Sequence, residues 1–303
     1  MMSKLTLVLV GLVLGCVDKG DDSGEGACGS TQGLVSGTLT GPSGGAASAS
    51  AQVLAVDSSG APHAGEVAAD GSYELNLDPG VYIVTASDGV CWSEDRLIEV
   101  EVCGEQVLDL AIENCDTADK PNLYLYPARD QPTAVALRHG PRQAVFASAP
   151  PYGQGWLGVA HQDGTFTTQG ERWPFLFYEL SLQAWQSEQL QRDEGWCLPE
   201  ADAVDAMADL LGDYGFNARE RLDFVEGWEH DLPPSRHGYA VYPQTDVEHA
   251  GAVIIRPALP LSRLWLLVED GGACDLDVPR VAPFDRSGPH AVEWGVVLHD
   301  LVR

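Results

Sequence analysis

From residue 33 onward, most of the chain alternates apolar and polar positions with a period of two, the signature of half-buried β-strands. Leu34 to Leu39 and Gln52 to Val56 open the series, separated by Gly, Pro and Ser. Between Asp70 and Ala86 the pattern is sharper. Asp70-Gly71 supplies a tight turn, Tyr73, Leu75 and Leu77 fall on one face, Pro79-Gly80 reverses the chain, and Val81, Ile83 and Thr85 begin a return strand. Arg96 to Val102 and Gln106 to Ile112 complete this first series. A second starts beyond the polar stretch Asp116 to Lys120. It predicts strands at 122–126, 133–138, 143–147, 155–161, 174–182, 238–242, 252–256, 263–269 and 291–298.

One stretch in this second series changes period. Val204, Met207, Ala208 and Leu211 are spaced i, i+3, i+4, i+7. Pro199, Glu200 and Asp202 stand where a helix N-terminus favours them, and Gly212 or Gly215 closes the turn. Asn217 and Glu220 have the spacing of a capping box for a second, short helix before Phe224 to Trp228. The fold class expected is therefore mostly β: an N-terminal β-sandwich, then a β-rich α+β unit of about 119–303 with one main helix.

The first fifteen residues follow a different logic. Lys4 precedes the apolar run Leu5 to Leu14, which is too short for the ~20 residues of a membrane-spanning helix and suits a signal peptide. The run ends in Val13-Leu14-Gly15-Cys16, the pattern of a bacterial lipoprotein cleavage site, with Cys16 as the lipidated residue. Several acyl chains on one cysteine give stable anchoring where one is marginal. The Gly/Asp/Ser stretch that follows, 16–27, reads as a flexible tether. The expected location is the cell envelope. Val17, in place of the aspartate that retains enterobacterial lipoproteins in the inner membrane, points to the outer membrane. Leu259 to Val268 is short and interrupted by Arg263, so it reads as a strand.

Seventeen basic residues stand against 45 acidic ones, a formal net charge of −28. So acidic a surface repels nucleic acid and anionic membrane. With Cys16 assigned to lipid, six cysteines remain, and an even number in an exported chain reads as disulfides. Cys28, Cys91, Cys103 and Cys115 form one cluster, and Cys197 and Cys274 another. The clustering suggests two covalently independent units and a Cys197–Cys274 bridge. Four cysteines allow three connectivities. The expectation adopted is Cys91–Cys103, stapling the strand 96–102 near its ends, with Cys28–Cys115 fastening the termini of the unit. No Cys-x-x-Cys or Cys-x-x-His spacing suggests a metal, and no cofactor is expected.

The run Asp70-Gly71-Ser72-Tyr73-Glu74-Leu75-Asn76-Leu77-Asp78-Pro79-Gly80-Val81-Tyr82-Ile83-Val84 resembles the carboxypeptidase regulatory-like domain, a small prealbumin-like β-sandwich. The resemblance covers 28–115 and implies a non-catalytic spacer, stabiliser or binding platform. Within it, Gly41-Pro42-Ser43-Gly44-Gly45 matches the G-x-S-x-G nucleophile elbow. It lacks the strand–turn–helix setting that exposes such a serine, so a loop is expected. The second unit resembles an uncharacterised bacterial family through its ends, Lys120-Pro121-Asn122-Leu123-Tyr124-Leu125-Tyr126-Pro127 and Pro283-Phe284-Asp285-Arg286-Ser287-Gly288 with Val292-Glu293-Trp294-Gly295. That resemblance implies no activity.

Two groups of residues could carry chemistry. Glu179 and Glu293 lie beside aromatics, and two carboxylates ~5–9.5 Å apart in an aromatic cleft are what a glycoside hydrolase needs. The competing reading is two strand glutamates, one paired to an arginine such as Arg263 or Arg286. Glu226, Glu229, His230, Asp231, His237 and His249 could ligate zinc or calcium, yet their spacing fits no metal template and a solvated loop is expected. Seven of the eight tryptophans lie between Trp156 and Trp294, which suits sugar stacking or a core equally. The function expected is a lipid-anchored, non-catalytic envelope protein binding a polysaccharide or protein. The alternative is a surface hydrolase acting on carbohydrate or peptide.

Overall fold

A computed structural model describes residues 31–48, 50–113, 116–140, 143–272, 274–299 and 301. Cys16, Cys28 and Cys115 lie outside these residues. Eight strands come first: β1 (Gly33–Thr40), β2 (Gln52–Asp57), β3 (Pro62–Glu66), β4 (Ser72–Leu77), β5 (Gly80–Ser87), β6 (Arg96–Val100), β7 (Glu105–Val107) and β8 (Leu110–Ala111). β4 pairs with β1, and β1 in turn pairs in parallel with β7 and β8. A second sheet has the order β3-β2-β5-β6. Their inward residues, among them Val35, Val53, Tyr73, Leu75, Leu77 and Val84, share one core whose members all fall between Val35 and Ile112. Tyr73, Leu75 and Leu77 are buried while Ser72, Glu74 and Asn76 are exposed, as the alternation required. β3, with the sequence Pro-His-Ala-Gly-Glu, was not legible: its apolar content is too low to reveal a strand.

Twelve strands follow among the described residues: β9 (Thr117–Tyr126), β10 (Gln131–Arg138), β11 (Val145–Ala149), β12 (Trp156–Ala160), β13 (Phe166–Thr168), β14 (Glu171–Trp173), β15 (Leu176–Ser181), β16 (Trp196–Leu198), β17 (Tyr239–Gln244), β18 (Ala252–Arg256), β19 (Leu261–Asp270) and β20 (His290–Leu298). The helices are α1 (Ala184–Ser187), α2 (Ala203–Asp213) and α3 (Ala218–Trp228). Seven strands form one sheet, β11-β15-β9-β20-β19-β17-β16, and five form another, β14-β13-β12-β10-β18. The larger sheet is covered on both sides. One face packs Leu123, Tyr178, Trp265 and Leu267 against Val135, Trp156, Phe166 and Ile255 of the smaller sheet. The other packs Tyr124, Leu264, Leu266 and Trp294 against Met207, Leu211, Phe224 and Trp228 of the helices. Burial on both faces explains why Leu264 to Val268 is apolar without interruption, every residue at 0 % exposure.

The helix predicted around Val204 to Leu211 is α2, with Met207, Ala208 and Leu211 buried. The expected second, short helix is as long as the first. The Asn217 side chain accepts from the backbone of Arg219 and Glu220, and the Glu220 carboxylate takes the Asn217 N–H, a complete capping box. Gly215, at φ +97°, turns the chain between the two helices in a conformation that a side chain would oppose.

Cys197 and Cys274 are joined, with Cα atoms 5.8 Å apart. Cys91 and Cys103 are both disulfide-bonded, but strand register corrects the expected link between them. Cys91 lies beyond the Ser87 end of β5, next to the Ser87–Trp92 bridge, whereas Cys103 follows Val100, which is paired with Gly80 at the opposite end. The seven steps of β5 between those ends span about 23 Å, and a disulfide needs Cα atoms within about 7 Å. The strand 96–100 separates the two cysteines instead of bringing them together. The Cys103 N–H donates to the carbonyl of Gln32, and the Glu113 N–H to that of Trp92. We therefore expect non-reducing peptide mapping to link Cys103 with the segment before Gln32 (Cys28) and Cys91 with the segment after Glu113 (Cys115). A recovered Cys91–Cys103 peptide would refute this.

Candidate functional site

Glu293 sits in β20 directly opposite Arg263 of β19. Both side chains point between the two sheets, as do their neighbours Ala291, Trp265 and Leu267. There the Glu293 carboxylate is at 0 % exposure and fully engaged. Arg263 contacts Oε1 through Nε at 2.9 Å and Nη2 at 2.8 Å, Trp265 Nε1 donates to Oε1 at 2.8 Å, and Tyr178 Oη donates to Oε2 at 3.0 Å. Burial by itself would favour a neutral Arg263, but the Glu293 charge outweighs it and holds the guanidinium pKa above its ordinary value. Burial, reinforced by that carboxylate, pushes the Tyr178 hydroxyl well up. Arg263 Nη1 also donates to the Gly251 carbonyl at 2.6 Å. With its donors and acceptors matched, the group is a closed polar knot in an apolar layer.

Glu179 does not share it. Tyr178 reaches Glu293, and successive residues of a strand point to opposite faces, so Glu179 lies on the other side of the seven-stranded sheet. The hydrolase geometry needs both carboxylates on one open cleft. The sheet itself separates them, and the proposed acid–base pair is corrected on that ground. Of the two arginines expected as partners, Arg263 takes Glu293, and Arg286 takes Glu220.

The other motif candidates disperse. Asp231 pairs with Lys120, His237 Nδ1 lies 2.9 Å from Asp270, and His230 lies 3.5 Å from its neighbour Glu229. Among the described residues no group of three or more His, Cys, Asp or Glu side chains is placed to hold a metal. Gly41 to Gly45 closes a turn, with the Gly41 N–H on the Gly45 carbonyl and Thr40 bridged to Ala46, so Ser43 precedes no helix.

Two arrangements were not foreseen. The first joins the two end motifs. Lys120, Tyr124 and Tyr126, on one face of β9, reach α3 and the turn after it: Lys120 to the Gly227 carbonyl and Asp231, Tyr124 to Asp223 at 2.8 Å, Tyr126 to Glu220 at 2.6 Å. Arg286, from the closing motif, grips the buried Glu220 with two bonds of 2.7 and 2.8 Å and lies 5.1 Å from the Tyr126 ring, on which His290 stacks. Burial raises the Asp223 pKa. Glu220 serves the helix cap, both tyrosine and arginine, and leaves no free acceptor facing solvent. The signal was present in Glu220 itself, whose capping role fixes it at the helix start, but the distance of Arg286 along the chain hid the pairing.

The second is a relay on the smaller sheet. His161 Nδ1 lies 2.7 Å from Asp130 Oδ2 and Nε2 lies 2.8 Å from Thr167 Oγ1. The hydrogen bond from His161 is the largest influence lowering the Asp130 pKa. Thr167 stands on the outer face of β13, opposite Val159 and Arg172. Thr167 and His161 are half-buried, so the relay orients polar groups at the margin of the sheet's outer face.

No family model and no curated protein matches the chain. Solved structures with partial likeness include a DUF3823 family protein from Bacteroides ovatus, 15% identical, covering 50% of this chain and 97% of that one, with a TM-score of 0.22. A second DUF3823 family protein, from Parabacteroides merdae, is 14% identical over 51% of this chain and 100% of that one, TM-score 0.22. The major pilin subunit of Bacillus cereus is 12% identical, covers 74% of this chain and 67% of its own, and has a TM-score of 0.23.

Proposed function

We propose that this chain is a lipid-anchored protein of the bacterial cell envelope, and that its folded part binds or scaffolds and does not catalyse. The anchor rests on the sequence: the Leu5 to Leu14 run, the Val13-Leu14-Gly15-Cys16 end and the Gly/Asp/Ser tether. The observation that carries the non-catalytic reading is the burial of Glu293, one of the two carboxylates of the hydrolase alternative, at 0 % exposure in an ion pair with Arg263. The unit 28–115 is in this reading a spacer of the carboxypeptidase regulatory-like kind, and 119–303 is the part that presents a binding surface. Val17 favours the outer membrane.

The anchor is tested on the full chain in a bacterial host. Wild type is expected to incorporate labelled palmitate and to sediment with membranes. Cys16→Ser is expected to lose the label and leave the membrane fraction. A serine variant that still fractionates with membranes, or a wild type without label, removes the anchor from the proposal.

A further inference from the structure

We infer that the outward face of the five-stranded sheet binds a carboxylate-bearing polysaccharide. This deepens the binding reading above and depends on it. Cross-strand pairing fixes which residues share that face. Arg172, Thr167, Val159 and Pro132 form one row across β14, β13, β12 and β10. Leu157, Ala134 and Arg256 form the next, across β12, β10 and β18. Arg138 lies on the same face, four residues along β10 from Ala134 and so about 13 Å from that row. The opposite faces of these strands supply Val135, Trp156, Phe166 and Ile255 to the core; on the outer face Pro132, Leu157 (74%), Arg172 and Arg256 are exposed, while Ala134, Val159 and Thr167 are half-buried.

The strand positions of this face differ in charge from the rest of the molecule, although Asp163 and Asp130 reach it from the adjoining loops. Acidic residues outnumber basic ones 45 to 17 in the chain, yet no outward position of these five strands carries a carboxylate, and three carry arginine. Arg172 is matched to Asp163 at 2.7 Å. Arg138 has no ion-pair partner among the described residues, and Arg256 donates only to the Ile255 carbonyl beside it. Charges farther away than a Debye length of about 8 Å at physiological salt are largely screened, so the local sign governs what docks here. Arginine is the side chain best shaped for bidentate contact with a carboxylate. Between Arg172 on β14 and Arg256 on β18, Leu157 and Val159 of β12 and Pro132 and Ala134 of β10 form an apolar strip two strands wide, about 5 Å between strand axes. With Asp163 neutralising Arg172, the unmatched charge of the strip lies on its β10–β18 side, at Arg138 and Arg256, a spacing that suits an extended polymer carrying repeated carboxylates. The His161–Thr167 pair, held by Asp130, places fixed polar atoms beside it for hydroxyl groups.

The test uses the whole chain carrying Cys16→Ser, which makes the result independent of lipid attachment, in native affinity gels containing polygalacturonate, neutral dextran or duplex DNA. Polygalacturonate is expected to retard the protein, dextran and DNA not to. Arg138→Ala/Arg256→Ala is expected to weaken retention by about tenfold for each arginine, as loss of a charge-assisted hydrogen bond predicts, with an unchanged thermal midpoint because both side chains are exposed. Leu157→Asp should weaken it as well, while Arg221→Ala, on α3, should not. Absence of retardation by polygalacturonate, equal retardation by dextran or DNA, or wild-type retention in the double arginine variant each overturns the inference. None of these outcomes touches the envelope anchor, which the palmitate experiment decides separately.

Discussion

Glu293→Gln is expected to destabilise the C-terminal β-rich region by about 3–5 kcal/mol, the usual consequence of leaving one member of a buried ion pair uncompensated. The arginine that remains is 5% exposed and cannot reach bulk water from between the sheets. Its charge would face a neutral amide, the Gly251 carbonyl and, at 3.6 Å, only the exposed Glu248 carboxylate, which solvent screens. Urea unfolding followed by tryptophan fluorescence reads the effect directly, because Trp265 donates to the same carboxylate and Trp294 is the next residue. Adding Arg263→Met to Glu293→Gln should restore most of the loss, since replacing a whole buried pair with apolar volume is often neutral. A single variant that loses less than about 1 kcal/mol, the scale of an exposed pair, would show that the knot is solvated and that its closure is wrong.

The second large effect belongs to the Cys197–Cys274 bridge. It closes a loop of sequence separation 77, for which the chain-entropy relation gives about 4.5 kcal/mol at 25 °C. β16, which carries Cys197, is the outermost strand of the seven-stranded sheet and pairs only with β17. On the other side, Gly195 donates to the Asp277 carbonyl, so the bridge fastens the 274–277 segment to that edge. Cys197→Ala/Cys274→Ala should lower the urea midpoint by the amount corresponding to roughly 4 kcal/mol. A midpoint within error of wild type would mean that the two segments are held by packing alone.

Strands with clear alternation, such as β4 with its Tyr-x-Leu-x-Leu, were legible because one face is wet and one is dry. The doubly buried β19 and β20 were legible as apolar runs, each broken by a single charged residue. What escaped were the short pieces: β3, β13, β14 and β16 have three to five residues each, too few for a period to show. The pairing of Glu293 with an arginine was within reach, because Arg263 and Glu293 each interrupt an apolar run and two such interruptions in a core need each other. The split between Glu179 and Glu293 was harder, because strand parity can be counted from Tyr178, but only after Tyr178 is known to face inward. The disulfides of the first cluster were misjudged because only eleven residues separate Cys91 from Cys103 in sequence, and a strand laid out between them turns that short separation into a long distance.

The position of β9 and β20 has a consequence for the order in which this region assembles. These strands, first and last of the seven-stranded sheet along the chain, lie side by side at its centre, with His290 opposite Tyr126 and Val297 opposite Ala118. Every other strand of that sheet lies between them in sequence and outside them in space. The middle of the sheet therefore cannot close until β20 is available, and its nucleation must draw together segments more than 160 residues apart. Loop closure over that length is entropically costly and such topologies fold slowly. A chain emerging N-terminus first thus holds this region open until β20 has appeared, and a truncation that removes β20 takes out the keystone, not an edge.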